Sequence, residues 1–249
     1  MDYDDFFRSK KGSSSKSRGK KTFDLEIIQH PLRARMCGFG GKDRRPIDPP
    51  PAVKLLVYDE NSEPIEQVNQ LLDETASSKM IVSVSLFSED GAKQCDVVIN
   101  PSSVPTPQNS NYNNLTAVMS LNEPQKMKNL IGTTVSPGYC LQDEKKKFGT
   151  FFIFNDLSVR TEGRFCLKFS FMNLEDQLEH ESYKILAQKT SKPFDVYSAK
   201  NFPGMTGSTE LSKSFFNQGV RLTIRKHPRT KLSNLQSEEM ENEEDQPDT

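Results

Sequence analysis

The stretch Phe165-Cys166-Leu167-Lys168-Phe169-Ser170-Phe171 carries the clearest structural signal in this sequence. Large apolar side chains occupy every second position, and smaller or polar residues lie between them. Successive side chains of a β-strand point to opposite faces of the sheet, so this period of two predicts a strand with one buried face. A second aromatic stretch, Phe151, Phe152 and Phe154, is predicted to belong to the core rather than to contact a ligand, because aromatic residues favour interiors.

The same alternation recurs on both sides of this strand. Further strands are predicted at residues 23–27, 53–58, 81–87, 96–99, 115–121, 130–135, 148–154, 183–188, 194–197 and 220–225. Turn-forming residues separate them, with residues 30–51 and most of 88–114 expected as loops and residues 136–138 as a turn. Many short strands of this kind predict an all-β-dominated sandwich with one or two short helices.

One helix is well marked near the end of the chain. Ser208 or Thr209 can cap its first turn, and Leu211 and Phe215 share one face, while Gly219 can end it. This helix either contacts a second chain or covers one end of the sandwich. A weaker pattern at residues 65–72 indicates another short helix.

Charge is distributed very unevenly along the 249 residues, although the formal net charge is only −1. Residues 8–45 hold twelve Lys or Arg against three acids, a local charge of +9, whereas residues 234–249 hold seven acids and no base. Such asymmetry indicates a polyanionic partner. We predict a disordered basic tail at residues 1–21, a folded domain at 22–227 and a disordered acidic tail at 228–249.

Several function classes lack support in the sequence. The four cysteines are widely spaced with no Cys-x-x-Cys pair, which argues against a metal site and favours reduced thiols. Gly41-Lys42 lacks the flanking residues of a phosphate loop, and no nucleophile motif is present. No stretch approaches the roughly 20 apolar residues of a membrane span. We therefore expect no enzyme activity, cofactor, small-molecule substrate or membrane contact.

The segment from residue 33 to residue 51 carries the chemistry. Its candidate DNA-binding residues are Arg33, Arg35, Lys42, Arg44 and Arg45. Glycines allow tight turns and prolines stiffen the exit. An arginine fork can grip phosphate or the O6/N7 edge of guanine, and lysine supplies a mobile point charge. A solvated basic loop, or one that pairs with the acidic tail, is the alternative.

The basic tail is a candidate nuclear-localisation signal. Its cations are Arg8, Lys10, Lys11, Lys16, Arg18, Lys20 and Lys21, in two clusters around three serines. Such a run can act as a nuclear address or as a nucleic-acid arm, and the alternative is a solvated tail without a specific reader. We therefore expect the protein in the nucleus, with shuttling to the cytoplasm left open.

Six long blocks of the sequence are distinctive: Arg-Met-Cys-Gly at 35–38, Asp-Arg-Arg-Pro-Ile-Asp-Pro-Pro-Pro at 43–51, Gly-Thr-Phe-Phe-Ile-Phe-Asn-Asp-Leu-Ser-Val-Arg-Thr-Glu-Gly at 149–163, Tyr-Ser-Ala-Lys-Asn-Phe-Pro-Gly-Met-Thr at 197–206, Ser-Thr-Glu-Leu-Ser at 208–212 and Gly-Val-Arg-Leu-Thr-Ile-Arg at 219–225. Together these blocks closely resemble the domain of the fungal velvet family. In order and spacing they cover about residues 22–227. The first block and the short loop at 88–114 look most like the spore-viability (VosA-like) branch.

The resemblance implies an immunoglobulin-like β-sandwich similar to the Rel homology domain of NF-kappa-B factors. It also implies promoter DNA binding as a homodimer or with other velvet proteins, and control of sporulation and secondary metabolism. In the spore-viability branch, basic positions after the Cys-Gly run contact DNA. They correspond here to Lys42, Arg44 and Arg45, with Arg33 and Arg35 as further candidates. The alternative is a heterodimerisation module that binds DNA only through a partner.

Overall fold

The computed structural model describes residues 21–40, 44–65, 79–104, 123–174 and 184–226. The strands are β1 (Thr22–Gln29), β2 (Arg33–Arg35), β3 (Ala52–Tyr58), β4 (Met80–Ser88), β5 (Val97–Ile99), β6 (Lys126–Lys128), β7 (Leu130–Ile131), β8 (Val135–Pro137), β9 (Tyr139–Gln142), β10 (Phe148–Ile153), β11 (Ser158–Val159), β12 (Gly163–Asn173), β13 (Ala187–Thr190) and β14 (Phe194–Tyr197). The described ranges also hold a 3-10 turn, Pro101–Ser103, and an α-helix, α1 (Glu210–Asn217).

Two large sheets form the domain. The four-stranded sheet has the order β1-β3-β10-β9, and the six-stranded sheet has the order β2-β14-β12-β4-β8 with β13 also paired to β12. Two small ladders, β11–β7 and β5–β6, complete the pairing. The pairs are antiparallel except β14 with β2. The predicted all-β, sandwich-like fold is confirmed.

The interior lies between the two large sheets. Leu167, Phe169 and Phe171 of β12 have no exposed surface, as the period-two pattern predicts. Phe154 packs its ring 5.3 Å from that of Phe169, and Phe152 lies 6.0 Å from Phe171. Each buried aromatic side chain contributes roughly 1.5–3 kcal/mol through removal of apolar surface from water. Packing across the sheets therefore fixes how they face each other.

Helix α1 covers the outer face of the four-stranded sheet. Phe151, which points away from the main core, packs 5.1 Å from the ring of Phe215, and Leu211 joins the same cluster. The Thr209 hydroxyl caps the helix by accepting from the Ser212 N–H at 3.1 Å. Gly219 follows the helix with φ +93°, the conformation that glycine adopts most readily. The predicted helix is confirmed, and it covers a sheet face rather than one end of the sandwich.

The end of edge strand β9 is bonded to a side chain. Gln142 donates its main-chain N–H to the Gln218 Oε1 at 2.7 Å, and the Gln218 Nε2 donates to the Gln142 carbonyl at 2.8 Å. The Gln218 Nε2 also donates to the Ser214 carbonyl at 3.1 Å, which ties the edge strand to α1.

Three sequence predictions about strands are wrong. Residues 220–225 form no strand ladder; the Arg225 N–H donates to the Ser208 Oγ instead, and the Arg221 carbonyl accepts from Asn155. The expected strand at 130–135 is split into β7 and β8 by Gly132, whose φ is +108°. The expected turn at 136–138 is largely strand, because β8 runs to Pro137 and pairs with β4.

The expected loop at residues 30–51 contains strand β2, and strands β6, β9 and β11 were not predicted. The strand expected at 183–188 instead begins at Ala187, and Tyr183 is not described. The predicted strand at 115–121 lies outside the described residues, as does nearly all of the predicted helix at 65–72.

Candidate nucleic-acid interface

Strand β2 fixes the main chain of Arg33 and Arg35. It pairs in parallel with β14, where Arg33 lies beside Asp195 and Arg35 beside Tyr197. Ala34, between the two arginines, is fully buried. Because strand side chains alternate, both partly buried arginines lie on the face opposite to the core.

The main chain of Asp48 closes the basic loop. The Leu32 and Arg33 N–H groups both donate to the Asp48 carbonyl at 3.0 Å, and the Asp48 N–H donates to the Arg33 carbonyl at 2.8 Å. The entry and the exit of the loop therefore lie side by side.

The carboxylate of Asp48 is buried, with 2% of the residue exposed. It accepts from the Arg225 Nη1 at 3.1 Å and from the main-chain N–H and the hydroxyl of Thr206, each at 2.6 Å. A buried carboxylate needs such partners to offset its desolvation. Arg225, expected in a strand, instead holds the C-terminal segment against the base of the loop.

The loop is docked on β11 and its neighbours. Four hydrogen bonds make this contact: Cys37 N–H to the Val159 carbonyl at 3.0 Å, Gly38 N–H to the Arg160 carbonyl at 3.1 Å, Ile47 N–H to the Leu157 carbonyl at 2.7 Å, and Ser158 Oγ to the Arg45 carbonyl at 2.9 Å. Ile47 is 1% exposed and anchors the exit in the core. Arg160 adds a bridge, since its Nη1 donates to the Gly38 carbonyl at 2.9 Å and its Nε donates to the Lys128 carbonyl at 2.8 Å.

Arg44 contacts Asp156 on the neighbouring connection. The Arg44 Nη2 donates to the Asp156 carbonyl at 2.9 Å and lies 3.6 Å from the carboxylate Oδ2. The side chains are 40% and 50% exposed, so solvent screens the pair and it contributes little to stability. The sequence pattern did not single out Asp156, because it is 112 residues from Arg44 in the chain.

The structure brings part of the predicted set together. Arg44 and Arg45 are both exposed at the exit of the loop, beside the entry strand that carries Arg33 and Arg35. Lys42 lies outside the described residues. Of the predicted nuclear-localisation residues, Lys21 is exposed at the start of the described chain, and the other six lie outside it.

His30 lies just before the basic loop. Its Nδ1 accepts from the Lys192 N–H at 3.1 Å. Burial, followed by the positive charge of Lys192, lowers the pKa of His30 below its usual value. The neutral imidazole is therefore the form that fits the folded protein.

Clusters of metal-binding residues are missing from the described ranges. In these parts of the chain, no group of three or more His, Cys, Asp or Glu residues is arranged to hold a metal ion. The same residues contain no helix of the length and apolarity that crossing a membrane requires. The four cysteines form no disulfide, and burial is the main cause that raises the pKa of the Cys166 thiol.

The fold and the loop together define the class of protein. It is an all-β sandwich with an arginine-bearing loop whose ends are hydrogen-bonded together and to the β11 region. The family model described as Velvet factor matches residues 23–229. The chain belongs to the velvet family.

Individual relatives agree with this assignment. A velvet complex subunit of Emericella nidulans is 31% identical over 296 residues, covering 83% of this chain and 79% of the relative. Velvet complex subunit 2 of Gibberella moniliformis is 32% identical, covering 82% and 61%. Sexual development regulator velC of the same fungus is 34% identical over 90% of this chain and 44% of its own length. These are names of regulatory proteins and not of enzymes, and the assignment to the spore-viability branch stays a prediction.

Proposed function

We propose that this protein is a nuclear DNA-binding regulator of fungal development that acts as a homodimer or with other velvet proteins. The observation that supports this most is the exposed pair Arg44–Arg45 at the exit of a loop whose ends are joined through Asp48. The names of the relatives, which include a sexual development regulator, support the regulatory part. Control of sporulation and secondary metabolism follows from the same family resemblance.

The docked loop favours recognition of a rigid polyanion. Hydrogen bonds to residues 157–160 hold Cys37, Gly38, Arg45 and Ile47 at the two ends of the loop, so these residues need little further ordering on binding. Arg44 and Arg45 then meet the duplex from a fixed base, and Lys42 adds charge. Arg33 and Arg35 extend the cationic surface along β2. Contacts to phosphate position the protein, and an arginine that reaches a groove reads bases.

The salt dependence of DNA binding tests this assignment. Replacing Lys42, Arg44 and Arg45 by alanine removes three cations from the proposed interface, and replacing Lys145, Lys146 and Lys147 removes three exposed cations from the β9–β10 turn. We expect the first variant to bind a promoter duplex more weakly, with its log–log salt slope reduced by about 0.9 for each phosphate that is no longer neutralised. The second should keep most of the wild-type slope. Equal affinity and slope in the wild type and the first variant would exclude these residues as the interface.

A second candidate function is heterodimerisation with DNA contact only through the partner. It is favoured by the relatives named as velvet complex subunits. Light scattering of the chain alone and mixed with a second velvet protein, followed by DNA titration of each sample, separates the two functions. DNA binding by the mixture but not by the chain on its own supports the second candidate. A chain that stays monomeric and binds no second velvet protein contradicts it.

A further inference from the structure

We infer that Asp156, through its carboxylate, is a positioning residue that orients the Arg44 guanidinium for reading base edges of DNA. The inference rests on the proposed function and goes one step further, since it separates the role of Arg44 from that of its neighbour Arg45. Asp156 lies between β10 and β11, on the connection against which the exit of the basic loop packs.

Both oxygen-bearing groups of Asp156 are fixed. Its carboxylate Oδ1 accepts from the Thr133 N–H at 2.8 Å, which leaves Oδ2 turned toward Arg44 at 3.6 Å. Its main-chain carbonyl accepts from the Arg44 Nη2 at 2.9 Å. The guanidinium is thus held by one direct hydrogen bond and by one nearby negative charge from the same residue.

Gly132 shows how closely this pair is packed. A Cβ built on Gly132 would clash with the Asp156 carbonyl oxygen and lie 2.9 Å from Oδ1 and 3.0 Å from the Arg44 Nη2. Its φ of +108° also favours glycine. Only a residue without a side chain leaves room for Asp156 and Arg44 to meet here.

The arrangement leaves Arg44 able to bind a base. A guanidinium has five N–H donors, and the hydrogen bond to Asp156 uses one, so a complete two-donor edge remains. The Asp156 carboxylate lies 3.6 Å from the Arg44 Nη2, so Arg44 meets DNA as an oriented pair of donors rather than as a freely rotating charge. Guanine O6 and N7 match such a pair. Arg45, one residue further, is exposed as well.

Asp156→Asn tests the inference with little change in shape. Asparagine keeps the Oδ1 acceptor for Thr133 and the main-chain carbonyl for Arg44 but removes the carboxylate charge. Asp195→Asn is the matched control, because it removes one half-exposed acid beside Arg33. The probes are a duplex that the wild-type protein enriches from a random-sequence pool and a scrambled duplex of equal composition.

We expect Asp156→Asn to reduce the ratio of enriched to scrambled affinity by about fivefold, the low end of what one two-donor base contact provides. Its affinity for the scrambled duplex should stay equal or rise, because an acid has been removed. Asp195→Asn should shift both affinities alike. An unchanged ratio in Asp156→Asn would overturn the inference.

A measurement without DNA separates this inference from the proposed function. Side-chain nitrogen NMR reports rotation of the Arg44 guanidinium, which we expect to be restricted in the wild type and faster in Asp156→Asn. Equal rotation in the two proteins contradicts a positioning role for Asp156. If the wild type enriches no duplex, the proposed function fails, while faster rotation in the variant still supports the positioning of Arg44.

Discussion

Asp48 joins two parts of the chain that are distant in sequence. Its main chain closes the basic loop on Arg33, and its carboxylate holds Thr206 and Arg225 of the C-terminal segment. Neither connection depends on a local motif, because the carboxylate partners lie 158 and 177 residues away. One buried acid thereby couples the shape of the candidate interface to the segment around α1.

Replacing Asp48 by alanine should strongly destabilise the fold. The change leaves the partly buried Arg225 cation and the Thr206 N–H without their acceptor, and breaking such a pair costs about 3 kcal/mol. Urea unfolding of the variant measures this loss. Asp24→Ala is the control, since it removes a half-exposed ion pair in which the Asp24 Oδ2 lies 3.8 Å from the Lys189 Nζ. This variant should change the unfolding free energy by less than about 1 kcal/mol. Equal losses in the two variants would contradict the structural role of Asp48.

His30 should make stability depend on pH. Its pKa is lowered in the folded state, first by burial and then by Lys192, so the unfolded chain binds the proton more readily. The stabilising contribution is therefore complete above the ordinary value of 6.5 and is lost as the pH falls below it. His30→Asn keeps an acceptor for the Lys192 N–H without this titration.

Urea unfolding at several pH values between about 7.5 and 5 checks this expectation. The wild type should lose more stability than His30→Asn over that interval. Parallel pH curves for the two proteins would show that His30 does not contribute.

At the scale of single elements, helix α1 depends on its N-cap residue, Thr209, which precedes Glu210. Thr209 accepts from the Ser212 N–H at 3.1 Å and donates its hydroxyl to the buried Gln29 Oε1 at 2.6 Å. Thr209→Ala removes the cap and leaves Gln29 without that donor, so we expect a loss of about 1–2 kcal/mol in unfolding free energy. Thr223→Ala, at an exposed position in the following segment, should have little effect in the same urea titration. A loss below that of Thr223→Ala would contradict the capping role.

The sequence predicts an element well when its own side-chain pattern decides the structure. Strands β12 and β4 alternate clearly, and both bury one face as expected. Strand β2 has only three residues and pairs with β14, about 160 residues later, so no local pattern marks it. Residues 220–225 alternate equally well, yet their main chain bonds to Ser208 and to a side chain. For β2 and for residues 220–225, tertiary contacts rather than the local pattern decide the structure.

Only part of the candidate interface could be predicted from the sequence, because only some of its residues belong to a local pattern. Glycine, proline and clustered arginine mark the basic loop in the sequence, and the structure shows Arg44 and Arg45 exposed at its exit. Asp156 and Arg160 carry no such mark, because each acts through contacts more than 100 residues away. Charge density identifies which segment bears the cations but not the groups that hold them.

At the scale of the whole molecule, the twelve cations of residues 8–45 are divided between the N-terminal tail and the loop segment. We expect alanine at Arg8, Lys10, Lys11, Lys16, Arg18, Lys20 and Lys21 to abolish nuclear accumulation of a fluorescent fusion while DNA preference in vitro remains. Alanine at Ser13, Ser14 and Ser15 keeps every cation and is the control. Loss of sequence preference in the first variant would instead make the tail part of the interface.

Gln218 protects one edge of the sandwich against the addition of a foreign strand. An unpaired sheet edge is a template on which another polypeptide can add a strand, and such addition leads to fibres. The amide of Gln218 occupies both main-chain groups of Gln142, as an incoming strand would. A second copy of the protein therefore finds no free main-chain N–H or carbonyl at Gln142. Even at high local concentration, a shared sheet can start to grow at this residue only after the Gln218 amide is displaced.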